Sequence, residues 1–109
     1  MLFEFAGPVP SYTVRYVPEI VGPGQRAAVR LGGRAFLEVV FHPAATRDGG
    51  GFSAPRGSDS VGGTRALVQY CLAGDHAGYV SFGLGIDKRA PFRVMELSNP
   101  PRVAIDIAE

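Results

Sequence analysis

The chain is written almost entirely in short β-type runs. Leu2 to Ala6, Thr13 to Val17, Ala35 to His42, Ala66 to Leu72, Tyr79 to Ile86, Phe92 to Leu97 and Val103 to Ile107 are rich in β-branched and aromatic residues. Each is bounded by Gly, Pro, Asn, Asp or Ser, which end ladders or preset turns. No stretch of about 10–12 residues repeats its apolar positions at helical period, so a doubly wound α/β arrangement lacks its helices. The spacing predicts an all-β fold of about seven short strands, a small sandwich or barrel. Fifteen glycines and nine prolines in 109 residues agree with a turn-rich chain.

Arg47 to Gly63 breaks the pattern. It holds six glycines and little to bury apart from Phe52 and Val61, so it reads as a flexible Gly-rich loop. The halves on either side are too short for cores of their own, and residues 1–109 are read as one domain.

Alternation assigns faces near the C-terminus. Val103, Ile105 and Ile107 should point inward, together with Phe92 and Val94 of the preceding run. Ser98-Asn99-Pro100-Pro101 is a stiff turn between them. Pairing Leu97 with Arg102 then sets Val94 opposite Ile105 and Arg93 opposite Asp106, which predicts an Arg93–Asp106 cross-strand pair.

Composition removes several classes of function. Eleven Lys and Arg stand against ten Asp and Glu, so no net charge favours nucleic acid or an anionic membrane. Tyr12-Thr13-Val14-Arg15-Tyr16 interleaves aromatic and basic residues, but a half-buried strand explains it equally well. One cysteine gives no intramolecular disulfide and no multi-cysteine zinc site. No run is long and apolar enough for a membrane-spanning helix, and the first residues lack the parts of an export signal.

Catalytic patterns are equally thin. His42, His76 and Cys71 occur without metal-ligand spacing, and no metal or cofactor is expected. Gly78-Tyr79-Val80-Ser81-Phe82-Gly83 has one residue too many before the serine for a nucleophile elbow, and no helix follows. Cys71 has nothing nearby in sequence to lower its pKa. Gly83-Leu84-Gly85 lacks a third glycine and a helix, so its glycines read as a bulge or as room for another backbone. A hydrolase using Asp75, His76 or Ser81 would need geometry the sequence does not display. The reading is therefore not an enzyme.

The stretch after Ala73 is denser in features. Asp87, Lys88, Arg89, Arg93 and Arg102 could gather near one sheet edge. With Tyr79 or Phe82 exposed beside them they would suit a glycan or acidic polymer. On the residues alone, plain solubilising surface charge is the reading the sequence favours.

Gly83-x-Gly85-x-Asp87, Pro91-Phe92-Arg93-Val94, Leu97 and Asn99-Pro100-Pro101-Arg102-Val103-x-Ile105-Asp106-Ile107 together resemble the AMIN-like domain family. Phe3-Glu4-Phe5, Pro10-x-Tyr12-x-Val14-x-Tyr16-Val17 and Ala73-Gly74-Asp75 before Gly78-Tyr79-Val80 fit the same pattern, so the resemblance covers nearly the whole chain. It implies two small β-sheets and an extracytoplasmic, bacterial cell-envelope setting. The related AMIN domains are linked to placing peptidoglycan amidases and secretion machinery, and are thought to bind peptidoglycan. AMIN-like proteins usually follow a signal peptide or lipoprotein anchor. This chain shows neither and starts inside the first family strand, which points to a trimmed or truncated chain.

Pro91, Phe92, Arg93, Pro100, Pro101 and Asp106 carry the structural part of the motif. Arg102 and Asp87, with Tyr79 and Arg89, are the candidate ligand-binding residues. The expected function is a non-catalytic module binding peptidoglycan or a related wall polymer, with envelope proteins as further partners. The rival is a protein-interaction or assembly domain acting through an exposed strand edge.

Overall fold

A computed structural model describes residues 1–5, 7–24, 26–44, 52–58, 66–99 and 101–108. Eight strands are present among them: β1 (Leu2–Phe5), β2 (Ser11–Val17), β3 (Ala35–His42), β4 (Phe52–Ser58), β5 (Leu67–His76), β6 (Tyr79–Ile86), β7 (Phe92–Leu97) and β8 (Arg102–Ile107). They form two four-stranded sheets, in the orders β4-β1-β8-β7 and β2-β3-β6-β5. Every ladder is antiparallel.

The sheets face each other as a sandwich, which resolves the choice between sandwich and barrel. Phe3, Phe5, Val103, Ile105 and Ile107 come from one sheet, and Leu37, Val39, Phe41, Val80, Phe82, Leu84 and Ile86 from the other. All are buried in one cluster. Period-2 alternation on β3, β6 and β8 supplies this inner face directly from sequence. Four phenylalanines join the layers: Phe3 stands 5.1 Å from Phe41 and 4.8 Å from Phe82, and Phe5 is 5.1 Å from Phe41. These are edge or tilted contacts, the arrangement aromatic quadrupoles favour.

The C-terminal hairpin has the register expected for it. Leu97 pairs with Arg102, Val94 with Ile105 and Arg93 with Asp106. An Arg93 Nη2 to Asp106 Oδ2 contact of 3.5 Å accompanies the last pair.

The loop expected over 47–63 needs correction. Residues 52–58 of it form β4, an edge strand on β1, while 47–51 and 59–63 lie outside the described residues. An edge strand is held by main-chain hydrogen bonds and needs no apolar alternation, which is why its composition hides it. Its pairing is irregular: Leu2 meets Ser58, yet Glu4, two residues on, meets Ala54. Pro55 and Gly57 fall inside that irregularity, as expected of residues that a regular ladder tolerates poorly.

The connection between β2 and β3 crosses the outer face of the second sheet. An isolated bridge joins Ile20 to Val29, and Ile20 is buried. A Cβ on Gly83 would lie 2.9 Å from Ile20 and from Leu31, and one on Gly85 would fall on the Gly32 carbonyl oxygen. The G-x-G of β6 is thus room for a crossing backbone, the second of the two readings open for it.

Candidate functional site

The side of the sandwich where β2 and β7 run as neighbouring sheet edges carries the polar and aromatic features. Tyr12, Val14 and Tyr16 alternate inward along β2 and pack partly buried against the core. The strand is therefore the half-buried kind, and its aromatics are tied to the other sheet. Tyr12 Oη donates to Glu96 Oε2 of β7 at 2.8 Å. Burial, and then the Glu96 carboxylate, raise the Tyr12 phenol above its ordinary 10.0. Tyr16 Oη donates to the Ala90 carbonyl at 2.7 Å and accepts from the Ala90 N–H at 3.0 Å. The Tyr16 ring meets Phe92 edge-on at 5.7 Å, and the Arg89 guanidinium sits 4.8 Å from the ring centroid.

Three shallow clefts surround this cluster. The first, about 470 Å³, is lined by Tyr16, Arg89, Ala90, Pro91 and Phe92. A second of about 350 Å³ shares Tyr16 and Arg89 and extends past Val17 and Pro18 to Arg34, Ala35 and Phe36. The third, about 250 Å³, shares Pro91 and Phe92 with the first and ends at Arg93, Asp106 and Ala108. Shared walls make them one track with Arg89 near its middle. Its position follows from chain ends: β2 finishes, β3 begins and β7 begins there.

The predicted ligand residues do not assemble. Asp87 and Arg89 lie in the connection from β6 to β7, and only Arg89 lines the clefts. Tyr79 opens β6, about 25 Å along the strand from Asp87. It is 44% exposed and stacks on His42 at 3.9 Å. Arg102 opens β8 opposite Leu97 and Glu4. Alternation with buried Val103 turns Arg102 to the outer face of the first sheet, and alternation with buried Val80 turns Tyr79 to the outer face of the second. The gathering of Asp87, Lys88, Arg89, Arg93 and Arg102 at one edge is thus corrected, because Arg102 sits at the opposite end of its hairpin from Arg93. Phe82 is 1% exposed and offers no stacking surface.

The structural motif residues fall as follows. Pro91 and Phe92 line the first cleft, and Phe92 also packs on the core. The Pro101 carbonyl accepts from the Phe5 N–H at 2.9 Å, joining the turn to β1. Pro100 lies outside the described residues. Sequence reasoning missed Arg34 and Phe36, and it treated Tyr16 only as a strand residue. Tyr16 carried a signal, an aromatic on the inward register of an edge strand, whereas Arg34 carried none.

A family model of the AMIN-like domain matches residues 1–109. The chain belongs to the AMIN-like domain family. No curated protein and no solved structure gives a significant match. Membership in the AMIN-like family points to a module associated with the cell envelope. Among the described residues, no helix is long and apolar enough to cross a membrane.

Of the hydrolase candidates in this AMIN-like domain, Asp75 and His76 end β5 and Ser81 lies on the paired strand β6. Ser81 is buried, and its Oγ has no hydrogen-bond partner among the described residues. His76 is exposed at the end of β5. His42 Nδ1 donates to the Gly78 carbonyl at 3.0 Å, so Nδ1 carries the proton. Cys71 is half-buried, and burial raises its thiol above the ordinary 9.0 despite a main-chain hydrogen bond with Gly83. A raised thiol is a poor nucleophile near neutral pH.

Proposed function

We propose that the chain is a non-catalytic cell-envelope module that holds a linear wall polymer, peptidoglycan in the first instance, along the track beside β2 and β7. The observation that carries this reading is the set of three joined clefts with Tyr16, Phe36 and Phe92 in their walls. An open, elongated track suits an extended chain better than a small molecule, which is usually enclosed on most sides. Aromatic walls suit sugar rings, which present apolar faces between their hydroxyls. That Ser81 Oγ makes no hydrogen bond among the described residues supports the non-catalytic part, since an activated nucleophile is held by contact with a base.

Co-sedimentation with insoluble peptidoglycan at low and high salt tests the proposal, beside an unrelated β-domain of similar charge. Retention above that control is expected, weakened in Arg89→Ala and unchanged in Arg102→Ala. Retention equal to the control overturns the reading.

One observation favours the rival, an assembly domain. β5 is a sheet edge, and it leaves Val68 51% and Leu72 46% exposed. Pairing of this edge with another strand would cover both. Light scattering over a hundredfold concentration range should then show association that Val68→Lys abolishes.

A further inference from the structure

The two larger clefts hold two guanidinium groups and no carboxylate. Arg89 and Arg34 are the charged residues that line them. Neither has an ion-pair partner among the described residues, whereas Arg15 meets Glu38 and Arg93 meets Asp106. The presentation of Arg89 is also fixed from behind. Tyr16 is pinned through both hydrogen bonds to Ala90, and its ring supports the Arg89 guanidinium at 4.8 Å. A guanidinium stacked on a ring uses its face there and keeps its in-plane N–H donors for a planar or tetrahedral anion. Arg34, which lines the second cleft, is anchored through its main-chain N–H to the Ile86 carbonyl at 2.8 Å.

We propose that Arg34 and Arg89 form a two-pronged anion site, and that the polymer is recognised by carboxylate or phosphate groups on its repeats. Phe36 and Phe92 flank the prongs and receive the uncharged part of each repeat. This inference rests on the polymer-binding reading and adds the chemistry of the ligand to it. Carboxylates on peptide-bearing glycan and phosphodiesters of a polyol chain present the same acceptor oxygens, and the test separates them.

The experiment follows the Arg Nε–H signals by NMR during titration with three probes. These are soluble peptidoglycan fragments with free carboxylates, the same fragments with carboxylates amidated, and poly(glycerol phosphate) oligomers. The sacculus sedimentation is run in parallel. Arg34→Gln and Arg89→Gln are both exposed substitutions, and an unchanged amide spectrum elsewhere verifies that each variant folds. At least one anionic probe should move the Arg89 Nε–H signal, and each substitution should weaken its binding by about tenfold or more. Binding of the carboxylate fragment alone identifies the glycan source, and of the phosphate oligomer alone the polyol source. Equal binding of amidated and free fragments, or no loss in either variant, overturns the anion site while leaving wall binding intact. Sacculi retained with no probe bound has the same meaning. Anionic probes bound without sacculus retention keep the anion site and overturn the wall reading.

Discussion

Gly85 and Tyr12 show how single residues decide local structure here. A Cβ on Gly85 would occupy the position of the Gly32 carbonyl oxygen, and backbone cannot swing aside as a side chain can. Gly85→Ala is expected to lose about 2–3 kcal/mol, read as a lower urea midpoint, by forcing the β2–β3 connection off the sheet. Tyr12 gives a prediction with pH. Its phenol is raised in the folded chain, so it keeps its proton after the unfolded chain has begun to lose it. The stability this contributes is intact below about pH 10 and is lost as pH rises through the higher folded value. Urea midpoints measured from pH 8 to 11 should fall more steeply for the native chain than for Tyr12→Phe.

At the scale of elements, the hairpins differ in how much of their geometry is strained. β5 and β6 are joined by Ala77 and Gly78, with φ of 53° and 84°, between the paired His76 and Tyr79. Both central residues are left-handed, the type I′ arrangement that matches strand twist. Glycine adopts it freely and alanine does not, so Ala77→Gly should raise stability by about 0.5–1 kcal/mol in thermal unfolding. The β7–β8 hairpin instead places Asn99, at φ 59°, in its turn, a residue that tolerates that region. Its Arg93–Asp106 pair is solvent-exposed on both sides, 72% and 56%. Arg93→Ala should therefore change the urea midpoint by less than about 0.5 kcal/mol equivalent, because exposed pairs are screened and entropically costly.

Across the whole molecule, stability is concentrated where the sheets meet. Phe41 touches Phe3, Phe5 and Phe82, so one ring of β3 contacts both layers. Phe41→Ala should cost about 3–5 kcal/mol. That is a large part of the roughly 5–15 kcal/mol available to a domain, and a truncated core should appear as loss of cooperative unfolding. The track lies outside this cluster, at the margins where β2 and β7 face one another. Substitutions at Arg34 and Arg89 should accordingly alter binding and leave the melting temperature unchanged.

Most of the fold was written locally. The runs now seen as β1, β2, β3, β5, β6, β7 and β8, the inward residues of β8 and the Leu97–Arg102 register follow from side-chain alternation and turn chemistry, which act between near neighbours in sequence. The motif endings likewise carried the AMIN-like resemblance. β4 escaped because an edge strand is stabilised by main-chain hydrogen bonds to β1, and composition does not record them. The track escaped for a related reason. Tyr16 and Ala90 are 74 residues apart, and only the stacking of two sheets sets Arg34, Tyr16, Arg89 and Phe92 along one groove. Periodicity places a residue on a face of its own strand. Which faces and ends then become neighbours is decided by the order of strands in the sheets, a property of the packed whole.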